Sequence, residues 1–178
     1  MKKYILPLLF LLFCNSGFAQ SAETILKDAA AKAKAENKKI IVLFHASWCS
    51  WCKKMDVSMN DPVCKKYFDD NFITVHLTVD EPEGKKHLET PGADAVKKKY
   101  KGETAGLPFW LILDADQQLL ADSYMRKPGV SKEEAGENIG CPASEEEVAA
   151  FITILQQTTK LKPEELTIIA ERFKKNKS

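Results

Sequence analysis

Five consecutive apolar residues, Ile40-Ile41-Val42-Leu43-Phe44, run almost directly into two cysteines three positions apart, Cys49 and Cys52. This junction constrains the fold more than any other stretch of the chain. A short unbroken run rich in β-branched residues fits a strand covered on both faces, as in a parallel sheet flanked by helices. Cys52, Met55 and Met59 then recur at helical spacing, so the cysteines stand where a buried strand gives way to an amphipathic helix.

The rest of the chain alternates in the same manner. Ser21 is placed to cap a helix reaching about Asn37, with Ile25, Leu26, Ala29, Ala30 and Ala33 as its apolar stripe. Asn60-Asp61-Pro62 interrupts the cysteine helix; Asp61 is placed to cap a new turn and Pro62 to occupy its first position. Residues 72–79 alternate, with Ile73, Val75, Leu77 and Val79 on one side, which predicts a second strand. Between residues 80 and 106 the pattern is weakest, and it predicts one short helix at about 94–101, closed by Gly102. Phe109-Trp110-Leu111-Ile112-Leu113 reads as a third strand, followed by a turn at 114–117 and a return through 119–125 as an antiparallel hairpin. Residues 126–142 read as a long loop. Ser144 with Glu147 forms a capping box for a helix that faces the core with Val148, Phe151, Ile152 and Leu155. A last helix follows Pro163, carrying Leu166, Ile169 and Phe173. This order predicts an α/β fold with helices on both faces of the sheet.

At 178 residues the chain is long enough for one domain with a sizeable core. Its first nineteen residues read as a cleaved export signal: Lys2 and Lys3, a short apolar run over residues 5–13, then Gly17-Phe18-Ala19. The run is too short for a permanent membrane span. A lipid anchor at Cys14 is the alternative, against which the bulky Phe13 counts. The mature protein is then a single domain over residues 20–178, with a C-terminal helical extension from about 163, exported to a periplasm-like compartment and without stable membrane insertion. Without Lys2 and Lys3, 24 basic residues face 25 acidic ones, which leaves no electrostatic basis for binding nucleic acid. Lys97-Lys98-Lys99 reads as a solvated helix face, Lys174-Lys175-Asn176-Lys177 as a frayed terminus, and the Glu81 to Thr90 segment as a solvated loop.

Disulfide exchange needs one thiolate to attack and a second thiol to release the mixed disulfide. A Cys-x-x-Cys opening a helix supplies both. Unpaired backbone N–H groups and the helix dipole favour an anion at the first sulfur, and the second lies three residues on, on the same helix face. Cys49 is then the attacking thiolate and Cys52 the resolving thiol, with no cofactor beyond the dithiol. Two other uses of the pair stay open. A structural disulfide closing so tight a loop gains little unfolded-state entropy. A metal site would lack a second Cys-x-x-Cys or His pair at ligand spacing, so no metal ligands are assigned.

The segment Phe44-His45-Ala46-Ser47-Trp48-Cys49-Ser50-Trp51-Cys52-Lys53-Lys54-Met55 resembles the active-site segment of the thioredoxin superfamily. It is most similar to the thioredoxin-like domains of periplasmic thiol-disulfide interchange proteins. Lys99-Tyr100 and Gly106-Leu107-Pro108-Phe109 resemble that family's helix end and cis-proline loop. The resemblance implies a thioredoxin-like fold with a central mixed sheet. It also implies a cis Leu107–Pro108 bond beside the cysteines, a Leu107 backbone that pairs with substrate as an added strand, and an exposed Trp48 in the docking surface. The function implied is an exported protein thiol-disulfide oxidoreductase, on the reducing side. Its partners would be proteins with cysteines and a membrane disulfide-interchange protein as electron donor. The alternative from another class is a thioredoxin-fold metal-binding or chaperone-like module that uses the same cysteines.

Three features depart from the family or stand outside it. Thioredoxins carry a buried acid six positions before the first cysteine; here that position is Leu43, with His45 or a carboxylate from elsewhere as the substitute proton acceptor for Cys52. Ser50-Trp51 stands where thioredoxins have Gly-Pro. Cys64 and Cys141 remain, either as inert core thiols or as a pair closing a long loop.

Overall fold

The computed structural model describes residues 20–126, 129–131 and 134–177; the export signal and the alternative anchor at Cys14 lie outside the described residues. Ser21 caps α1 (Ala22–Glu36) by accepting the Thr24 N–H at 3.3 Å, and Asn37 closes it in the left-handed region at φ 53°. Four of the five buried residues of α1 are alanines, so its backbone approaches the sheet closely.

Four strands form a mixed sheet in the order β2-β1-β3-β4. β1 (Lys39–His45) runs parallel to β2 (Phe72–Thr78) and antiparallel to β3 (Phe109–Leu113), which pairs antiparallel with β4 (Leu119–Asp122). The two central strands are buried on both faces, as the unbroken apolar runs require. On one face Ile41, Leu43, Trp110 and Ile112 join a core shared with α2 (Ser50–Met59), α3 (Lys65–Asn71), α5 (Glu145–Thr158) and α6 (Pro163–Lys174). On the other, Ile40, Val42, Phe44, Phe109, Leu111 and Leu113 pack with α1 and with Ala93 of α4 (Ala93–Lys99). Helices therefore cover both faces, as the element order predicts. Among the described residues no helix is long and apolar enough to cross a membrane.

The cap on α5 is the one read from sequence, and the last helix starts at Pro163 itself. Ser144 and Glu147 make the reciprocal capping box of α5. Pro163 opens α6, where Glu165 accepts the Lys162 N–H at 2.8 Å. The two helices meet through aromatic rings: Phe151 lies 5.0 Å from Phe173 and 5.5 Å from Trp110, centroid to centroid. The C-terminal extension is thus part of the main core.

Several local expectations are corrected. α3 begins only at Lys65; Asp61 accepts the Val63 N–H at 3.1 Å, and this local turn uses the residues expected to be helical. The helix end near residue 101 is turned by Lys101 at φ 62°, not by Gly102. Gly102 is needed for another reason: a Cβ there would lie 2.5 Å from the Phe109 ring. β4 ends at Asp122, whose carboxylate accepts the Tyr124 N–H at 3.0 Å and redirects the chain. Residues Tyr124–Met125 then form β5, which pairs with β6 (Glu137–Asn138) inside the stretch read as loop. A 3-10 turn, Glu83–Leu88, was not legible in the sequence pattern.

The basic clusters are not simply solvated. Lys97 is buried in α4, with its Nζ on the Asp80 carboxylate at 2.5 Å. Asn176 is buried rather than frayed. It takes the Lys54 Nζ on its carbonyl at 3.0 Å and Ser58 Oγ on its side-chain oxygen at 3.0 Å, and gives its amide to Pro142 O at 3.1 Å. The C-terminus so clamps the helix that carries the cysteines.

Truncating a fully buried aromatic leaves a cavity as well as lost transfer energy, so Phe173→Ala is expected to cost about 3–5 kcal/mol. Denaturant unfolding measures this, and a loss under ~1 kcal/mol would mean that α6 is peripheral.

Candidate active site

β1 delivers the chain to a turn over Ala46, Ser47 and Trp48, and Cys49 takes the N-cap position of α2. Its backbone is extended (φ −75°, ψ 100°), and its Sγ accepts the Cys52 N–H at 3.0 Å. Cys49 and Cys52 are closed in a disulfide with Cα atoms 5.3 Å apart. A sulfur at this position faces the free N–H groups and positive dipole end of a ten-residue helix, the setting that stabilises a thiolate. Both sulfurs are nearly buried, while Trp48 and Trp51 beside them are 57% and 43% exposed. The two indoles thus expose apolar surface beside the cysteine pair.

The loop after β2 holds this turn from below. Glu81, only 2% exposed, accepts both the backbone N–H and the hydroxyl of Ser47, the latter at 2.8 Å. Its own N–H goes to Glu89 at 2.9 Å. Asp80 accepts the Trp48 indole N–H on its carbonyl at 2.9 Å and pairs its carboxylate with Lys97, whose Nζ also reaches Ala105 O at 3.2 Å. Within the 81–90 segment read as a solvated loop, Glu81 is thus buried against the cysteine turn, and outside it Asp80 and Lys97 link that turn to Ala105. No local pattern marks these ties, because each partner lies far away in sequence.

The Leu107–Pro108 bond is cis, as the resemblance implies. Leu107 packs against Ala46, Cys49 and Cys52, and Pro108 leads into β3. The structure thus brings Cys49, Cys52 and Leu107 into one cluster. Trp48 faces outward with its indole fixed on Asp80. On the other side, Trp51, Leu107, Asn138, Gly140 and Cys141 line a cleft of about 340 Å³.

Leu43 is buried among apolar neighbours, so β1 supplies no carboxylate beneath the pair. His45 is half-buried, with Nε2 3.2 Å from Thr78 Oγ1 and its ring edge-on to His76 at 5.4 Å. Burial first, and then the neighbouring His76, lower its affinity for a proton. His76 itself lies 2.8 Å from Asp56. Among the described residues no cluster of three His, Cys, Asp or Glu side chains is placed to hold a metal.

The alternative pairing of Cys64 with Cys141 is not found: both are free, buried thiols. Cys64 sits in the core at the start of α3, and Cys141 accepts the Asn176 amide on its sulfur at 3.4 Å. Burial pushes Cys64 up to about 11 and Cys141 up to about 12, so neither forms a thiolate near neutrality.

The hydrogen bond from the Ser47 N–H, more than that from its hydroxyl, holds the Glu81 carboxyl below its ordinary 4.5 against the opposing effect of burial. A carboxylate favoured in the folded state stabilises fully above its unfolded value and loses that effect as pH falls through the folded value. Glu81→Gln is therefore expected to lower the denaturant midpoint at pH 7, with the gap to wild type closing below about pH 4.5. A gap unchanged between pH 7 and pH 3 would contradict an ionised brace.

The sequence model of a family described as thioredoxin-like matches residues 21–115, more than half of the chain and the whole path from α1 through the cysteines and the cis-proline to β3. No curated protein matches. A disulphide isomerase from Xylella fastidiosa Temecula1 is 21% identical, with a TM-score of 0.47 over 65% of this chain and 80% of its own. A structure described as DsbH oxidoreductase is 22% identical, with a TM-score of 0.46 over 82% and 85%. The oxidised C-terminal domain of DsbD from Neisseria meningitidis is 20% identical, with a TM-score of 0.44 over 79% and 99%. This chain, with its disulfide-capable Cys49-x-x-Cys52 pair, belongs to the thioredoxin-like family.

Proposed function

We propose that the protein is an exported thiol-disulfide oxidoreductase that reduces disulfides in other proteins. The observation that carries this reading is Cys49 at the N-cap of α2, its sulfur on the Cys52 N–H, beside a cis-proline loop and two exposed tryptophans. Export rests on the charged start, the apolar run and the Gly17-Phe18-Ala19 site at the N-terminus.

In the reduced protein the Cys49 thiolate attacks one sulfur of a substrate disulfide. A mixed disulfide forms, and the other substrate sulfur leaves as a thiolate that takes a proton from solvent. Cys52 then loses its proton and attacks Cys49 Sγ, which restores the Cys49–Cys52 disulfide and releases the second substrate thiol. The substrate gains two electrons and two protons. A dithiol donor, of the kind a membrane disulfide-interchange protein provides, returns those electrons to the enzyme. Substrate backbone docks along Leu107, whose own N–H enters no hydrogen bond among the described residues, and Trp48 flanks the entering strand.

Cys52→Ser leaves the attacking thiol without its resolving partner, so mixed disulfides through Cys49 are expected to accumulate with exported proteins and to disappear in Cys49→Ser. Mass spectrometry of trapped adducts reads this; no adducts would remove the catalytic assignment. The reducing direction is tested separately. A potential of the Cys49/Cys52 couple nearer roughly −270 mV than −120 mV supports a reductant, and one at the oxidising end contradicts it.

A further inference from the structure

The segment 138–140 lies beyond the residues that match the family, yet it reaches back to both sides of the cis-proline. Asn138 Nδ2 donates to Gly106 O at 2.7 Å and to Pro108 O at 3.2 Å, the carbonyls on either side of Leu107. Its Oδ1 accepts Ser123 Oγ at 2.7 Å and the Gly140 N–H at 3.3 Å. Both amide hydrogens and the amide oxygen are in use, and the partners fix which end is which. A flipped amide would set its oxygen against two carbonyls.

This amide is itself held by the sheet. Ser123 is fully buried, exchanges hydrogen bonds with the Trp110 backbone (N–H to Trp110 O at 2.9 Å, Oγ from Trp110 N–H at 3.1 Å), and accepts the Ile139 N–H at 2.8 Å. The Trp110 indole donates to Gly140 O at 2.8 Å. Gly140 adopts φ +59°, a conformation suited to glycine, and a Cβ there would lie 3.6 Å from Pro108 O. A segment with its own hydrogen bonds to the sheet therefore grips the loop at the two carbonyls that flank Leu107.

We infer that Asn138 is a positioning residue for disulfide exchange, fixing the orientation in which the Leu107 peptide meets an incoming substrate strand. The inference rests on the exchange reading above and goes beyond it by assigning substrate alignment to a residue outside the shared core. Asn138 also lines the cleft with Trp51 and Leu107, so the element that fixes the loop forms one wall of that cleft. Small dithiols need no backbone alignment, and protein disulfides do. The clamp therefore acts on one class of substrate and not on the other.

Asn138→Ala removes the grip, and Asn138→Asp keeps an acceptor for Ser123 while turning carboxylate oxygens toward the two carbonyls. Both variants are expected to lose about tenfold in kcat/KM for reduction of insulin disulfides. The rate of Cys49–Cys52 reduction by dithiothreitol and the potential of the couple are expected to stay at wild-type values. Equal losses toward both reagents would indicate a merely structural residue and overturn the inference, as would no loss toward insulin. A wild-type protein inert toward both reagents would overturn the exchange reading instead. In that case backbone ¹⁵N relaxation at Leu107 decides whether Asn138 grips the loop: loosening in Asn138→Ala upholds the grip, and unchanged order overturns it.

Discussion

β1 is paired on both edges and packed on both faces, so its register cannot slip without exposing two layers of core at once. That constraint sets where the chain leaves the sheet, and hence where Cys49 stands at the mouth of α2. A cysteine pair on a mobile loop would gain little from a helix dipole, because the effect fades beyond the first turn. Here the strand, the three-residue turn and the helix form one continuous support, with Met55 and Met59 of α2 seated against the same face as Ile41 and Leu43.

Polar ties converge on this support from distant parts of the chain. Glu81 holds Ser47, Asp80 and Lys97 join the turn to the 105–108 loop, Asn138 grips that loop, and Asn176 ties the C-terminus to Lys54 and Ser58. Among the described residues no buried side-chain nitrogen or oxygen lacks a partner. A buried polar group left unpaired costs about 1–3 kcal/mol, so such ties specify a geometry more sharply than apolar packing does. The cysteine pair is thereby held by groups from within and after the segment that matches the family.

What the sequence made legible divides along the same line. The buried strands, the Ser21 cap, the Ser144–Glu147 box and the apolar stripes of α5 and α6 are local patterns, and each is found. The cysteine pair and the cis-proline were carried by short motifs whose spacing the structure brings together. Glu81, Lys97, Asn138 and Asn176 were not legible. A charged or amide side chain looks solvated in sequence, and only contacts with distant residues reveal that Glu81, Lys97 and Asn176 are buried and that half-buried Asn138 is fully hydrogen-bonded. Gly102 shows the same limit, since its role is room for the Phe109 ring and not the helix end. Cys64 and Cys141 could be weighed as a pair from sequence, but each is a separate core thiol.

Disulfide exchange through Cys49 would depend on its sulfur being stabilised as an anion by the start of α2. The most direct test is the pH dependence of alkylation of Cys49 in the reduced protein, with Cys64 and Cys141 buried and slow to react. The helix geometry predicts ionisation well below the ~8.5 of a free cysteine. Ionisation at or above that value would contradict the account and leave the strand, turn and helix as a scaffold without the chemistry assigned to it.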